Sequence, residues 1–496
     1  MNSKRIKIIF LITCCFLLIS GFIFANRNKT QIVIADNAYN LQVNTSNFLI
    51  WFSDDKGDIV VPMAETSGLY LNDSPVLKTK VLKNSKHSIL FRVVNAKDET
   101  ARVSISFRDG ISNITVEPEN DQINKVSLRF GGMPVAHGLG DAGAYEKSFN
   151  LIEPGKKTFN MANNGSTIRW LSTFTIFPKN NFAGVFFDRG KKSVTLGEEI
   201  YQLDTEIKGK STFYFFLGDN KDIYANYKKI RNEVGFEDIK PKSRLFELGW
   251  ESWDALGWNT NQFTVREVLQ KFHNEGYPIR WAVTGSGFWE KGGITTNFGK
   301  WGNSFPDAKA FKSWMNDNDI KWMIGLRTNF VPDGGPYIPL SDERDHNLTV
   351  NSYNGNPLSN EGLKNNYFLK DENGVPLRFT SKYFPQVPCY MLDGNQPGAA
   401  LWFQQHYTLW DVDGIKEDTM MPVEYETSIF NKPKAKIASE GGLVMARNGE
   451  FVAPGTLMRI NDTRVYQMED RIPNNYLQYA ASGAPNVYSD VVGTFN

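Results

Sequence analysis

After residue 245 the hydrophobic pattern switches repeatedly between two periods, and this restricts the fold more than any other feature of the chain. Short apolar runs read as strands: "LFELGW", "IRWAVTG", "IKWMIGLRTN", "VDGIKED", "TLMRI", "VYQME" and "APNVYSD". Stretches with helical spacing lie between several of them. "TVREVLQKFHNEGYP" is stopped by Gly276 and Pro278, "FPDAKAFKSWMNDND" carries Pro306 near its first turn, and "PGAALWFQQHYTLW" follows later. Strands joined through helices need right-handed crossovers, which build a parallel sheet. Roughly seven such strands, with polar residues at their carboxyl ends, predict a TIM-type (β/α)8 barrel. An open doubly wound sheet would want a glycine-rich first turn for phosphate, and "GWESWD" is not one.

The chain before that point has a different grammar. From about residue 27 to 217, short alternating runs such as "HSILFRVV", "ARVSISF" and "STFYFFLG" are punctuated by Gly, Asn and Asp. This predicts an antiparallel β-sandwich. One helix over 219–235 and the linker "FEDIKPKSR" then fill 218–244, so the barrel occupies 245–496 of a multidomain α/β chain. At the N-terminus Lys4, Arg5 and Lys7 precede an apolar run from Ile8 to Ala25. That predicts a signal peptide over 1–25 and a secreted or periplasmic protein with no membrane span after cleavage. An uncleaved anchor is the rival reading.

Net charge is +1, which gives no reason to expect a nucleic-acid partner. Cys14 and Cys15 lie in the leader, so Cys389 is alone in the mature chain and a cysteine zinc site is excluded. Aromatic residues make up 13% of the chain, an excess that suits flat apolar sugar faces as well as a core.

"DVDGIKED" (411–418) crowds four carboxylates and a lysine into eight positions. As a calcium loop it fails, because glycine arrives too early and no glutamate closes it. As the end of a buried strand it presents Lys416 and Asp418 on one face. A lysine beside a carboxylate favours its ionised form, as a nucleophile requires. Asp470, at the end of "VYQMED", sits in a setting that can keep its proton. One ionised and one protonated carboxyl in the same mouth suffice for glycoside hydrolysis. The alternative is that both acids merely pair with neighbouring arginines such as Arg464 and Arg471.

From "AHGLGD" (137) to "YSDVVG" (493) the chain resembles glycoside hydrolase family 31, the retaining α-glycosidases. The segments "HGLGD", "DIYANYKKIRNEVG", "FPDAKAFKSWMNDNDIKWMIGL", "LDGNQPGAALWFQQHYTLWDVDGIKEDTM" and "YQMEDR" follow in the family's order. The resemblance implies that Asp418 is the nucleophile, Asp470 the acid/base, and Arg459 the arginine that holds the first sugar. It makes Asp490 a structural support. Lys416, Trp253, Asp254, Thr284 and Trp289 are further candidates for sugar contacts, while His137, His273 and His406 are read as structural. The pattern departs from the family at three places. Thr284, Gly285 and Ser286 stand where an aspartate should bind the outer hydroxyls of the sugar, "TMMP" follows the nucleophile, and the chain ends at "GTFN" before an eighth strand.

The expectation is thus a retaining α-glycoside hydrolase with no cofactor or metal, acting on an oligo- or polysaccharide and favouring α-galactosides, in a barrel incomplete at its C-terminus. An α-transglycosylase of the same family and a carbohydrate-binding relative without catalysis are the alternatives.

Overall fold

The computed structural model describes residues 31–36, 38–140, 156–161, 170–188, 190–285, 301–326, 329–330, 332–333, 340–342, 345–350, 358–371, 373–380, 388–393, 396–417, 431–447, 449–453, 455–459, 463–464, 476–488 and 491–492. The chain divides into two units. The first comprises 1–136, 150–160 and 175–228, and the second 137–149, 161–174 and 229–496. The leader predicted over 1–25 lies outside the described residues, and among those described no helix is long and apolar enough to cross a membrane.

The first unit is rich in antiparallel sheet, as its period-two pattern predicts. Gln31–Asp36, Tyr39–Asn44, Ile50–Asp54 and Ile59–Val61 form a four-stranded sheet. A larger antiparallel sheet carries the long strands Ser88–Asn95, Thr100–Arg108 and Ile111–Pro118. Alternate residues of these strands are buried, among them Phe91, Val103, Ile105 and Ile114. Phe52 of the four-stranded sheet packs on Phe107, Phe130, Phe182 and Phe215 of the larger one, at ring-centroid distances of 6.1, 6.4, 5.6 and 5.9 Å.

In the second unit seven strands form one parallel sheet in sequence order: β1 (Gly249–Glu251), β2 (Trp281–Thr284), β3 (Lys321–Leu326), β4 (Gly414–Glu417), β5 (Leu443–Ala446), β6 (Leu457–Arg459) and β7 (Val487–Tyr488). Helices α1 (Gln262–Asn274), α2 (Ala308–Asp317), α3 (Pro397–Tyr407) and α4 (Asn431–Ser439) belong to the crossovers. Local chemistry sets their ends. The Asn261 side chain accepts hydrogen bonds from the Phe263 and Thr264 amides, and Thr264 answers the Asn261 amide, a complete capping box. Asp307 accepts from the Ala310 amide at 2.9 Å, so α2 begins just after the Pro306 turn.

Two boundaries differ from the sequence reading. "LFELGW" enters as a short 3-10 turn, Ser243–Phe246, and becomes strand only at Gly249. The helix expected through "TLW" ends at Tyr407, and Thr408–Trp410 tightens to 3-10 before Asp411 takes a left-handed φ of 52°. The expected strand "VYQME" lies outside the described residues.

Alternation within the strands sorts the core into two layers. Ala282, Trp322, Ile324, Ile415, Val444, Ala446 and Met458 belong to the large cluster with the helices. The opposite parity gives Trp281, Val283, Met323, Leu443, Met445 and Leu457, which cluster with Leu245 on the other face, where Tyr488 packs against them. The Trp281 and Tyr488 rings, on β2 and β7, meet edge to face at 6.0 Å, so the sheet curls around this inner cluster.

Gly249 makes the packing of Trp281 possible: a Cβ there would lie 2.0 Å from the indole. Gly249→Ala is therefore expected to destabilise the second unit by about 1–3 kcal/mol, the usual cost of overpacking. Thermal unfolding followed by near-UV circular dichroism measures this, and an unchanged midpoint would show that Trp281 is free to move aside.

Candidate active site

Functional side chains of a parallel barrel project from the carboxyl ends of its strands. At β1, Trp250 faces the helical layer, its ring 6.1 Å from Phe272 of α1. Glu251, next in the strand, therefore points to the interior. At β4, Ile415 belongs to the helical layer and Lys416 to the interior by the same alternation. The two interior charges meet: the Lys416 ammonium hydrogen-bonds the Glu251 carboxylate, with side chains 3% and 14% exposed.

These two strands are separated by β2 and β3; the interior positions level with Lys416 are Gly325 of β3 and Gly285 just after β2, while Glu251 is level with the interior Val283. A Cβ on Gly325 would lie 3.3 Å from the Gly285 Cα. A Cβ on Gly285 would come within 2.4 Å of the Trp253 Cβ, so Trp253 forms a wall directly over that glycine. The turn holding Trp253 is tied to β2 through its backbone: the Ser252 amide donates to Val283 O at 3.0 Å, and the Gly285 amide to Ser252 Oγ at 3.4 Å.

Thr284, expected among the sugar contacts, lies on the opposite face. It is wholly buried, and its Oγ1 accepts a hydrogen bond from Trp322 Nε1 at 3.0 Å. The structure does not bring it together with Lys416 and Glu251. On β2 it is Trp281 and Val283 that face the interior, and the next position of that parity is Gly285, just past the strand.

Glu417 points outward from β4, as alternation requires. It is buried against α4, where Lys434 Nζ donates to its Oε2 at 2.7 Å, and the Arg447 amide donates to the same oxygen at 2.8 Å. Burial pulls the Lys434 ammonium below the usual lysine range, and Glu417 opposes that shift. Earlier in the same acidic run Asp413 is a structural group. It accepts from the Trp322 amide at 2.8 Å and pairs with Lys312 of α2, and Lys321 lies 3.6 Å away.

The remaining expected site residues are placed less fully. Asp418, Asp470, Trp289 and Asp490 lie outside the described residues. Asp254 has its backbone in the helix Trp253–Leu256, and Arg459 has its backbone at the end of β6, paired with Tyr488. Burial lowers the pKa of His137, and that of His406 likewise, whose Nε2 lies 3.7 Å from Glu361 Oε2. Cys389 is buried and its thiol is pushed up to about 12, out of reach of thiolate chemistry at neutral pH. Among the described residues no cluster of three His, Cys, Asp or Glu side chains could hold a metal.

Sequence reasoning missed Glu251, Glu417 and Lys434 as partners. The available signal for Glu251 was its period-two offset from Gly249 at the end of the first strand. Two cavities, of about 230 Å³ beside His273 and Trp314 and about 900 Å³ beside Trp301 and Trp410, include none of these strand-end residues.

Residues 245–489 match the family described as glycosyl hydrolases family 31 TIM-barrel domain. The chain belongs to that family. No curated protein matches it in sequence. Its fold is similar to that of a family 31 sulfoquinovosidase from E. rectale in complex with an aza-sugar inhibitor (15% identity, TM-score 0.62, 92% of this chain and 69% of that one). It is also similar to a Flavobacterium johnsoniae dextranase complexed with glucose (13%, 0.59, 94% and 60%). A soil-metagenome α-xylosidase complexed with xylose shares the fold as well (14%, 0.57, 94% and 72%). The named substrates of these family 31 enzymes differ, so the family fixes the barrel and leaves the sugar open.

Proposed function

We propose that the chain is a retaining α-glycoside hydrolase, exported by its N-terminal leader. The reading is carried by the carboxyl end of β4, where Lys416 faces the barrel interior and Asp418 follows it by two residues in the family's strand. In this mechanism the Asp418 carboxylate attacks the anomeric carbon while Asp470 protonates the leaving oxygen. Asp470 then deprotonates a water that releases the sugar from the enzyme. Lys416 adds positive potential that favours the ionised nucleophile, and Arg459 orients the sugar.

The preferred sugar is an α-galactoside. In the related α-glucosidases an aspartate on the second strand binds the equatorial 4-hydroxyl. Here Gly285 faces the interior at that strand end, Trp253 is packed on it, and the Thr284 hydroxyl is turned away. The charge-assisted hydrogen bond that the aspartate would supply is typically worth about 1.5–3 kcal/mol. Without it, selection for an equatorial 4-hydroxyl weakens by roughly 10- to 150-fold. Aryl α-galactoside is therefore expected to show the higher kcat/KM when compared with aryl α-glucoside and α-xyloside. A preference for the glucoside would overturn the sugar assignment, and failure to cleave any aryl α-glycoside would overturn hydrolysis itself.

A further inference from the structure

We propose that the cavity of about 900 Å³ between α2 and the turn that follows α3 is a second carbohydrate-binding site, which holds a neutral oligo- or polysaccharide without cleaving it. The inference rests on the carbohydrate reading above for the class of its ligand, and not on turnover. Its place in the fold separates it from the mouth. Trp322, which lines it, belongs to the helical face of the sheet, and Asp411, which also lines it, precedes β4. Lys416 faces the interior near the other end of that strand.

Two features of the lining carry the assignment. The first is an apolar wall already set in place. The Trp301 ring stacks on Trp322 at 4.6 Å and meets Trp410 edge to face at 4.8 Å. Trp322 and Trp410 are each 1% exposed, whereas Trp301 is half-buried and brings accessible indole surface to the cavity. A ring held by two buried indoles loses little freedom when a flat sugar face covers it. The second feature is a polar rim. Asn303, Lys309 and Asp411 are exposed, and among the described residues their side chains make no hydrogen bond or ion pair. They offer ammonium and amide donors beside carboxylate and amide acceptors. A sugar hydroxyl donates and accepts, so it can use both kinds. An anion could use only the donors, and a cation only the acceptors.

Charge and size agree with a neutral sugar. Among the described residues of the lining, Lys309 and Lys312 stand against Asp307 and Asp411, so the formal charges cancel. Lys312 is already engaged by Asp413, and Asp307 by the Ala310 amide at the start of α2. The volume lies at the upper end of the roughly 300–1,000 Å³ usual for ligand sites and has room for more than one pyranose ring. The acceptor on the rim leaves from a fixed backbone: the Asp411 amide donates to Thr408 O at 3.3 Å, and its φ is 52°.

Affinity electrophoresis of the full chain tests the proposal. Retardation is measured in gels containing dextran, galactomannan or xyloglucan, three neutral polysaccharides, with polygalacturonate as the charged control. Lys309→Ala combined with Asp411→Gly strips the rim, and glycine suits the left-handed backbone at 411. Trp301→Leu removes the indole; should it not fold, the rim variant decides alone. At least one neutral polymer should retard the wild type, and its Kd should rise by roughly 5- to 50-fold in the rim variant. Turnover of a small aryl α-glycoside by the rim variant should be unchanged. Retardation that survives in every folded variant would put polymer binding elsewhere, at the mouth for instance, and overturn the proposal. So would no retardation by any neutral polymer, retardation by polygalacturonate alone, or equal loss of aryl-glycoside turnover in the rim variant. Rim-dependent retardation without turnover in the wild type would leave this site standing and remove the hydrolase assignment. Turnover without retardation would do the reverse.

Discussion

Asp418→Asn is expected to reduce hydrolysis of aryl α-glycosides to background while the protein stays folded, and added azide is expected to restore a product of inverted configuration. The reasoning follows from the two-step mechanism. The nucleophile occupies one face of the anomeric carbon, and the asparagine that replaces it can neither attack nor carry charge. The small azide anion enters that vacated face and displaces an activated leaving group in a single step, giving the β-azide from an α-glycoside. Asp470→Ala should behave differently. Its first step survives with leaving groups that need no proton, and azide then attacks the glycosyl-enzyme to give retained product. With poor leaving groups the loss should reach about 100- to 10,000-fold, the usual contribution of a positioned general acid. Product configuration by NMR separates the roles. Retained azide product from Asp418→Asn would exchange the two assignments, and undiminished turnover would remove Asp418 from the site. The mechanism further requires the two carboxyl groups to stand about 5–5.5 Å apart.

Those assignments began from sequence, and particular residues show how far sequence reaches. The parallel sheet is legible because most of its strands fall within apolar runs and α1 and α2 carry full helical spacing with capping residues at Asn261 and Asp307. The strand Leu443–Ala446 is not singled out by such reasoning. Four apolar residues after two glycines do not distinguish a short strand from a buried helix segment. Helix α4, with Lys432, Lys434 and Lys436 among its nine residues, looks solvent-exposed by composition, yet Lys434 is buried.

The site was legible in one direction and not in the other. Within a strand, period two places Lys416 and Asp418 together without any structure. Which of two adjacent residues faces the interior is a question of register, and one residue reverses the answer. That is why Thr284 reads as a sugar contact from its position, while the structure turns it toward Trp322 and gives the interior to Gly285. The Glu251–Lys416 pair spans 165 residues, and no local pattern announces a contact between the first and fourth strands. Its legible trace is two interior glycines, Gly285 and Gly325, which are informative only once the strands carrying them are aligned.

Lys434→Met should destabilise the second unit by about 3–5 kcal/mol, the cost of leaving one member of a buried ion pair without its partner. Lys434 and Glu417 are each about 3% exposed, and they meet at 2.7 Å behind the carboxyl end of β4. Removing the ammonium takes a buried ionic partner from Glu417, which raises the cost of its charge or forces it to take up a proton. For a unit of this size each kcal/mol moves the midpoint by roughly 2–4 °C, so a drop of about 6–20 °C is expected. The effect should reach catalysis too, because Asp418 follows Glu417 directly in the chain. Adding Glu417→Gln to Lys434→Met removes the stranded charge and keeps an oxygen for the Arg447 amide, which now donates to Glu417 at 2.8 Å. The double variant should therefore regain most of the lost stability, since a buried pair replaced as a unit is close to neutral. Thermal unfolding of the wild type, both single variants and the double variant closes the cycle. A Lys434→Met midpoint within about 2 °C of wild type would mean that the pair does not hold the end of β4. A double variant no more stable than Lys434→Met would show that the lysine acts through packing of its aliphatic stem and not through its charge.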